Sequence, residues 1–274
     1  MPSPVNSTAQ EVYGVLSSHA TFLVKRTFDV SLSAMGLLVT LPLLVTIIML
    51  VWVTDWHSPF YVADRVGVNG RLFRMVKLRS MVVHADRTGV DSTASDDTRI
   101  TRIGRLIRRF KLDEVSQLWN VLVGDMSLVG PRPQVSRDVA RYTNEERGLL
   151  SVRPGITDYA SIVFADEGDI LRGAPNPDLL YNQIIRPWKS RLGLHYVMTR
   201  SMLQDLALIL TTLVNAVSRQ TALSMVAALL KKSSADRQLQ EVARRRTPLR
   251  PTPPPGASEV VSSRDLSSRQ PQVH

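Results

Sequence analysis

The sequence predicts a mainly helical α+β protein, and three stretches carry that expectation. An uncharged run from Val30 to Thr54 holds a proline, Pro42, near its middle. Asn69-Gly70 separates two runs in which apolar and polar residues alternate. "RITRIGRLIRRFK" sets an arginine at every third position against an apolar side. In order, these stretches predict an apolar membrane helix, a β-hairpin and an amphipathic helix suited to a membrane interface, arranged around a small domain.

Composition narrows the classes. The 274 residues suffice for one good-sized domain plus extensions. Lys and Arg number 34 against 24 Asp and Glu, a net charge of +10, which suits an anionic lipid surface, a nucleotide or a nucleic acid. There is no cysteine, so disulfides and thiolate metal sites are excluded. The five histidines, His19, His57, His84, His195 and His274, show no zinc-binding spacing. The first residues lack a charged n-region and a cleavage site, which argues against a removable signal peptide.

Residues 1–24 form a polar extension that ends in Lys25-Arg26. As one straight helix, the following apolar run would reach roughly 37 Å, enough for a hydrocarbon core of about 30 Å. Pro42 removes a backbone bond and breaks or kinks the helix, and each half, about 18 Å long, is too short to span alone. The basic start favours a cytoplasmic N-terminal flank. A single crossing would then export the rest of the chain, whereas a bend at Pro42 keeps both flanks inside; the residues alone leave both readings open. Beyond it, Asn69-Gly70 predicts a hairpin with a type I′ turn. Residues 84–98 read as a loop, 134–150 and 178–230 as helix, and "RPGITDYASIVF" as an extended passage. From 231 to 274 the Pro/Ser/Arg-rich composition predicts a disordered tail.

Candidate chemistry begins at the basic helix. Arg99, Arg102, Arg105 and Arg108 share a face of one sign, opposite Ile100, Ile103, Leu106, Ile107 and Phe110. A face of one sign favours anion binding over mere solvation, and the upstream apolar run argues against DNA. The helix runs into Asp113-Glu114, which precede the apolar "LWNVL". Neighbouring helical residues point about 100° apart, so the two carboxylates divide their labour: one attacks and one holds a metal. A carboxylate attacking phosphate needs its own repulsion relieved, by magnesium and arginine. In "GPRP" the flanking prolines restrict Arg132, which reads either as a rigid turn with an exposed arginine or as a pre-aimed phosphate clamp.

"KRTFD", the proline-interrupted apolar run, "DRVGVNGRLF", "KLRSM", "RITRIGRLIRRFKLDEVSQLWNVLVGDMSLVGPRP" and "RPGITDYAS" resemble, in order, the bacterial sugar transferases, the monotopic phosphoglycosyl transferases. The likeness covers about Lys25 to Val217. It implies transfer of a sugar-1-phosphate from a nucleotide sugar, commonly UDP-linked, to a polyprenyl phosphate such as undecaprenyl phosphate. That reaction initiates exopolysaccharide, capsule or O-antigen synthesis. The resemblance further implies a covalent aspartyl-phosphosugar on Asp113, Mg2+ with Glu114 in the metal-linked role, and phosphate contacts from Arg108 and Arg132. Lys77 and Arg79 stand at the basic positions of the family's K-F-R-T-M and are expected to bind substrate phosphate. The apolar segment, 25–54, becomes re-entrant, broken at Pro42, with a cytoplasmic phosphoglycosyl transferase domain over 55–230 at the inner membrane and its anionic lipids. Nucleic acid is not an expected partner. A membrane-anchored scaffold without activity, binding anionic lipid or an assembly partner, is the competing reading.

Two departures matter. Val115-Ser116 stands where the family often has Leu-Pro, which bears on the helix start after the acid pair. "GITDYAS" replaces the frequent G-I-T-G-L-A-Q, a segment expected to contact the nucleotide sugar, which leaves the sugar itself open.

Overall fold

A computed structural model describes residues 5–85, 93–263 and 265, with side chains described from residue 22 onward. The loop expected over 84–98 lies partly outside the described residues. The architecture is mainly helical, with a long apolar N-terminal helix and two small two-stranded sheets. Helix α1 (Val5–Asp55) leads to strand β1 (Phe60–Val66) and strand β2 (Leu72–Leu78). Helices α2 (Arg102–Arg109), α3 (Leu112–Val115) and α4 (Leu118–Val123) follow, then strand β3 (Ser127–Val129) and helix α5 (Ser136–Val139). Strand β4 (Gly155–Thr157) precedes short helices α6 (Tyr159–Val163), α7 (Glu167–Ile170) and α8 (Pro177–Leu180). A π-helical turn, Tyr181–Ile185, runs into α9 (Arg186–Thr199), α10 (Met202–Val217), α11 (Arg219–Lys232) and α12 (Arg237–Arg244).

The hairpin forms where expected. β1 and β2 pair antiparallel from Phe60↔Leu78 to Val66↔Leu72. Asn69 (φ 56°) and Gly70 (φ 78°) hold the two positive-φ positions of the type I′ turn, and Arg71 N–H bonds the Val68 carbonyl at 3.2 Å. Asn120 pins this hairpin to α4: its amide oxygen accepts from Val76 N–H at 2.9 Å and its amide nitrogen donates to the Arg74 carbonyl at 2.8 Å.

Helix α1 departs from the expectation twice. It starts at Val5, within the stretch read as a polar extension, and it runs unbroken through Pro42. The reason is packing on both sides of the proline. Upstream, Lys25 Nζ meets Asp205 at 2.6 Å, Asp29 accepts from Ser127 Oγ at 2.8 Å, and Arg26 donates to the last carbonyls of α4, Val121 (2.6 Å) and Leu122 (2.8 Å). Downstream, Leu44, Ile47 and Val51 are buried against Leu78 and Ile107. Each such side chain contributes about 1.5–3 kcal/mol, so together they outweigh the roughly 3 kcal/mol that an interior proline costs. The opposite face, including Met35, Leu38, Val39, Met49 and Val53, is apolar and exposed.

The main core lies between α4, the β3–β4 pair, α6 and α9–α12, with Tyr159, Val121, Met126, Leu192 and Leu230 fully enclosed. The passage read as extended is a short strand, β4, that turns into α6 at Asp158, and the helix expected over 134–150 is reduced to α5 and a 3-10 turn at Glu146–Ser151.

The described part of the tail also differs from expectation, while residues 264 and 266–274 lie outside the described residues. α11 and α12 extend the fold to Arg244, and the proline-rich segment beyond packs on it rather than standing free. Prolines cannot donate, yet their carbonyls accept: Thr143 Oγ1 bonds Pro255 O at 2.6 Å and Arg191 bonds Pro253 O at 2.9 Å. Thr252 N–H donates to the Gln183 carbonyl at 2.9 Å, and Gln183 Nε2 donates to Val261 O at 2.9 Å.

Candidate active site

α2 begins at Arg102, capped by the Thr101 hydroxyl, which accepts from Gly104 N–H at 2.9 Å. Arg99 therefore lies outside the helix, held by Asp97 at 2.6 Å. A Cβ on Gly104 would fall 1.8 Å from the Ser80 carbonyl oxygen. Only glycine lets α2 lie this close to the end of β2, and the approach delivers Arg108 Nε to Ser80 Oγ at 2.9 Å. Arg102 and Arg105 remain exposed, as do Leu106 and Phe110 on the supposed inner face.

Between α2 and α3 the chain turns at Lys111, a non-glycine residue in the left-handed region (φ 52°, ψ 31°). The corner gives α3 its own direction. Leu112 and Val115 pack toward the lower half of α1, with Leu44, Ile47 and Val51. Asp113 and Glu114 meet the basic side chains instead. Lys77 Nζ lies 3.9 Å from Asp113 Oδ2, and Arg132 Nη1 donates to Glu114 Oε1 at 2.9 Å. Ser116, at the position of the family's proline, donates to the Asp113 carbonyl (3.0 Å) and toward the Val76 carbonyl (3.3 Å), so the break between α3 and α4 persists without a proline.

The charges tune one another. Burial alone would raise the Glu114 carboxyl, but Arg132, Lys111 and Lys77 outweigh it and hold it below its ordinary value. Glu114 raises Arg132 in turn, against burial. Burial, with Arg132 adding repulsion, pulls Lys77 down to about 8, despite Asp113 and Glu114. Lys77 is thus cationic at neutral pH and mostly neutral by pH 9. Since kcat/KM reports the free enzyme, it should fall on the alkaline side with a midpoint near pH 8. Lys77→Arg should abolish that limb; a limb that survives the substitution would assign it elsewhere.

Of the residues singled out from sequence, Lys77, Arg108, Asp113, Glu114 and Arg132 thus gather around α3. Arg79 does not join them. It is bound at 2.6 Å to Asp55 at the end of α1 and to the Ser58 carbonyl at 2.7 Å. Ser80, Lys111 and Asn120 were missed, since each acts through a contact that no local spacing announces.

β3 and β4 run parallel, Ser127↔Gly155 and Val129↔Thr157. The segments leaving their ends, Gly130-Pro131-Arg132-Pro133 and Asp158 onward, therefore emerge side by side. Between them opens a cleft lined by Arg132, Gln134, Tyr142, Asp158, Tyr181 and Lys189 among others. Arg132 is common to the acid pair and the cleft.

The family pattern described as bacterial sugar transferase matches residues 20–219. The chain belongs to the bacterial sugar transferase family. Among its relatives, the UDP-galactose-lipid carrier transferase of Erwinia amylovora is 40% identical over 159 residues, 52% of this chain and 33% of that protein. The exopolysaccharide production protein ExoY of Sinorhizobium fredii is 30% identical over 204 residues, 69% of this chain and 83% of its own. The UDP-glucose:undecaprenyl-phosphate glucose-1-phosphate transferase of Xanthomonas campestris pv. campestris is 34% identical over 215 residues, 76% of this chain and 42% of that protein. This family member thus spans about a third of the Erwinia protein and under half of the Xanthomonas one.

Proposed function

We propose that this sugar transferase moves a hexose-1-phosphate from a UDP-sugar to a polyprenyl phosphate, through a phosphosugar held covalently on Asp113. The observation that carries the reading is the position of Asp113: beside Lys77 and the Glu114–Arg132 pair, on a helix whose own apolar residues pack against α1. In the first half-reaction an Asp113 oxygen attacks the sugar-bearing phosphorus, the bridging P–O bond breaks, and the nucleoside monophosphate leaves with its electron pair. In the second, a polyprenyl-phosphate oxygen attacks the same phosphorus and frees the carboxylate. Lys77, Arg132 and Arg108 bind and orient the phosphoryl oxygens, and their charge lowers the repulsion that Asp113 meets.

Among the described residues no cluster of three or more His, Cys, Asp or Glu forms a cation cage. Magnesium, however, is usually bound through one or two carboxylates plus substrate phosphates, and Asp113-Glu114 offers that oxygen set. Glu114 would hold the ion together with the substrate; when bound, Mg2+ would neutralise phosphate charge.

The same reading keeps α1 from crossing. Residues Phe22–Asp55 are long and apolar enough to span a membrane. Yet Lys25, Arg26 and Asp29 before Pro42, and Leu44, Ile47 and Val51 after it, all pack on the same domain. This packing along its length supports a helix that lies on the domain with only its outer apolar face dipped into one leaflet, leaving the domain on the cytoplasmic side where nucleotide sugars are made. The exposed Leu106 and Phe110 of the basic helix would join α1 in the interface. Two measurements test the proposal. Purified protein should release UMP from a UDP-sugar continuously only when undecaprenyl phosphate is present, and without it should stop at about one UMP per Asp113. His57→Cys, in a chain free of cysteine, should react with an impermeant maleimide only after cells are opened; labelling of intact cells would mean that α1 crosses.

A further inference from the structure

We propose that the cleft beyond Arg132 receives the glycosyl group of the nucleotide sugar, and that Asp158 selects it by accepting hydrogen bonds from its hydroxyls. This inference rests on the transferase reading, which puts the sugar-bearing phosphate at Lys77 and Arg132. From that point the acid pair backs onto α1 through Leu112 and Val115, which leaves the lipid on one side. The other side is the cleft between the segments that leave β3 and β4.

The lining is suited to a neutral, hydroxyl-rich group. Beyond Arg132 its cations already have partners: Arg186 holds Glu146 at 2.5 Å, and Lys189 holds Glu167. Asp158 is buried, and among the described residues no ion pair reaches it. Its Oδ1 caps α6 by accepting from Ser161 N–H at 2.7 Å, while Ser161 Oγ returns the bond by accepting from Asp158 N–H at 2.8 Å. A cap needs one side-chain oxygen, and Asn serves as well as Asp. The carboxylate has further lone pairs and lines the cleft. Its free lone pairs accept from sugar O–H groups, and Gln134 adds both a donor and an acceptor. Tyr142 and Tyr181 supply flat apolar walls for the C–H faces of a pyranose; Tyr181 opens the π-helical turn, an irregularity frequent at functional sites. Asp158 also falls within "GITDYAS", where the sequence leaves the commoner family pattern.

Asp158→Asn tests the idea, because the substitution keeps the helix cap and removes the carboxylate. The assay measures UMP release from UDP-glucose, UDP-galactose and UDP-N-acetylgalactosamine with undecaprenyl phosphate, alongside competitive inhibition by UDP and the melting temperature. The expected result is a fall in kcat/KM of at least about 30-fold for the preferred sugar. The ratio between preferred and disfavoured sugars should narrow, UDP inhibition should stay within twofold, and the melting temperature should hold. Kinetics within threefold of the parent protein for every sugar would overturn the proposal. So would UDP inhibition that weakens in step with turnover, since the cleft would then hold the nucleoside. A parent protein that turns over none of the three, nor any other nucleotide sugar, would instead sink the transferase reading beneath it.

Discussion

Asp113→Asn protein should bind to membranes and fold as the parent does, yet lose turnover by on the order of 10⁴-fold or more. The amide keeps the size of the side chain but offers no carboxylate to attack phosphorus. The 3.9 Å approach of Lys77 to Asp113 Oδ2 is a loose ion pair, so its loss leaves α3 supported by Leu112, Val115 and Ser116. A second readout separates a nucleophile from a mere charge. Rapid quenching of the parent protein with a UDP-sugar alone should leave a phosphosugar on Asp113, released as polyprenyl product when undecaprenyl phosphate is added. Near-parental turnover by Asp113→Asn, or brisk product without any adduct, would show that the sugar phosphate passes directly between substrates.

Arg132→Met should lower kcat/KM by about 10³-fold, within the range seen when a transition-state arginine is removed from phosphoryl-transfer sites. Arg132 bonds Glu114 at 2.9 Å and lines the cleft, so its removal strips charge from the phosphate position and leaves Glu114 without its partner. Glu114 would then lose the largest influence that holds it below its ordinary value, and burial would push it up. The activity that remains should accordingly decline at a higher pH on the acidic side than in the parent. Arg132→Lys should recover only part of the loss, because an ammonium lacks the planar fork that engages a carboxylate and a phosphate together. Equal activity of the Lys and Arg proteins would reduce Arg132 to a point charge.

What the sequence made legible was chiefly local. Asn69-Gly70 announces its turn because positive φ at two adjacent positions admits few residues. Asp113 and Glu114 stand out through their neighbours along the chain. The partners of those residues were less visible. Glu114 meets Arg132, 18 residues later, and Arg79 is claimed by Asp55, 24 residues earlier. Strand alternation alone would have set Arg79 beside Lys77. The continuity of α1 through Pro42 depends on side chains of β2 and α2 that press on it from outside the segment. The proline-rich tail reads as disorder by composition, and partners distant in sequence, Thr143, Gln183 and Arg191, give it a place. The cleft is a product of two short strands running in parallel, a pairing that neither strand's sequence specifies.

The manner in which α1 is built in has a practical corollary. Arg26 closes the end of α4, Asp29 reaches into β3, and Val51 lies beneath the strand that carries Lys77. The greasy helix is therefore a wall of the domain that carries the proposed nucleophile and no detachable tether. Trimming it away to obtain a water-soluble head would expose the underside of the catalytic floor and take the geometry around Asp113 with it.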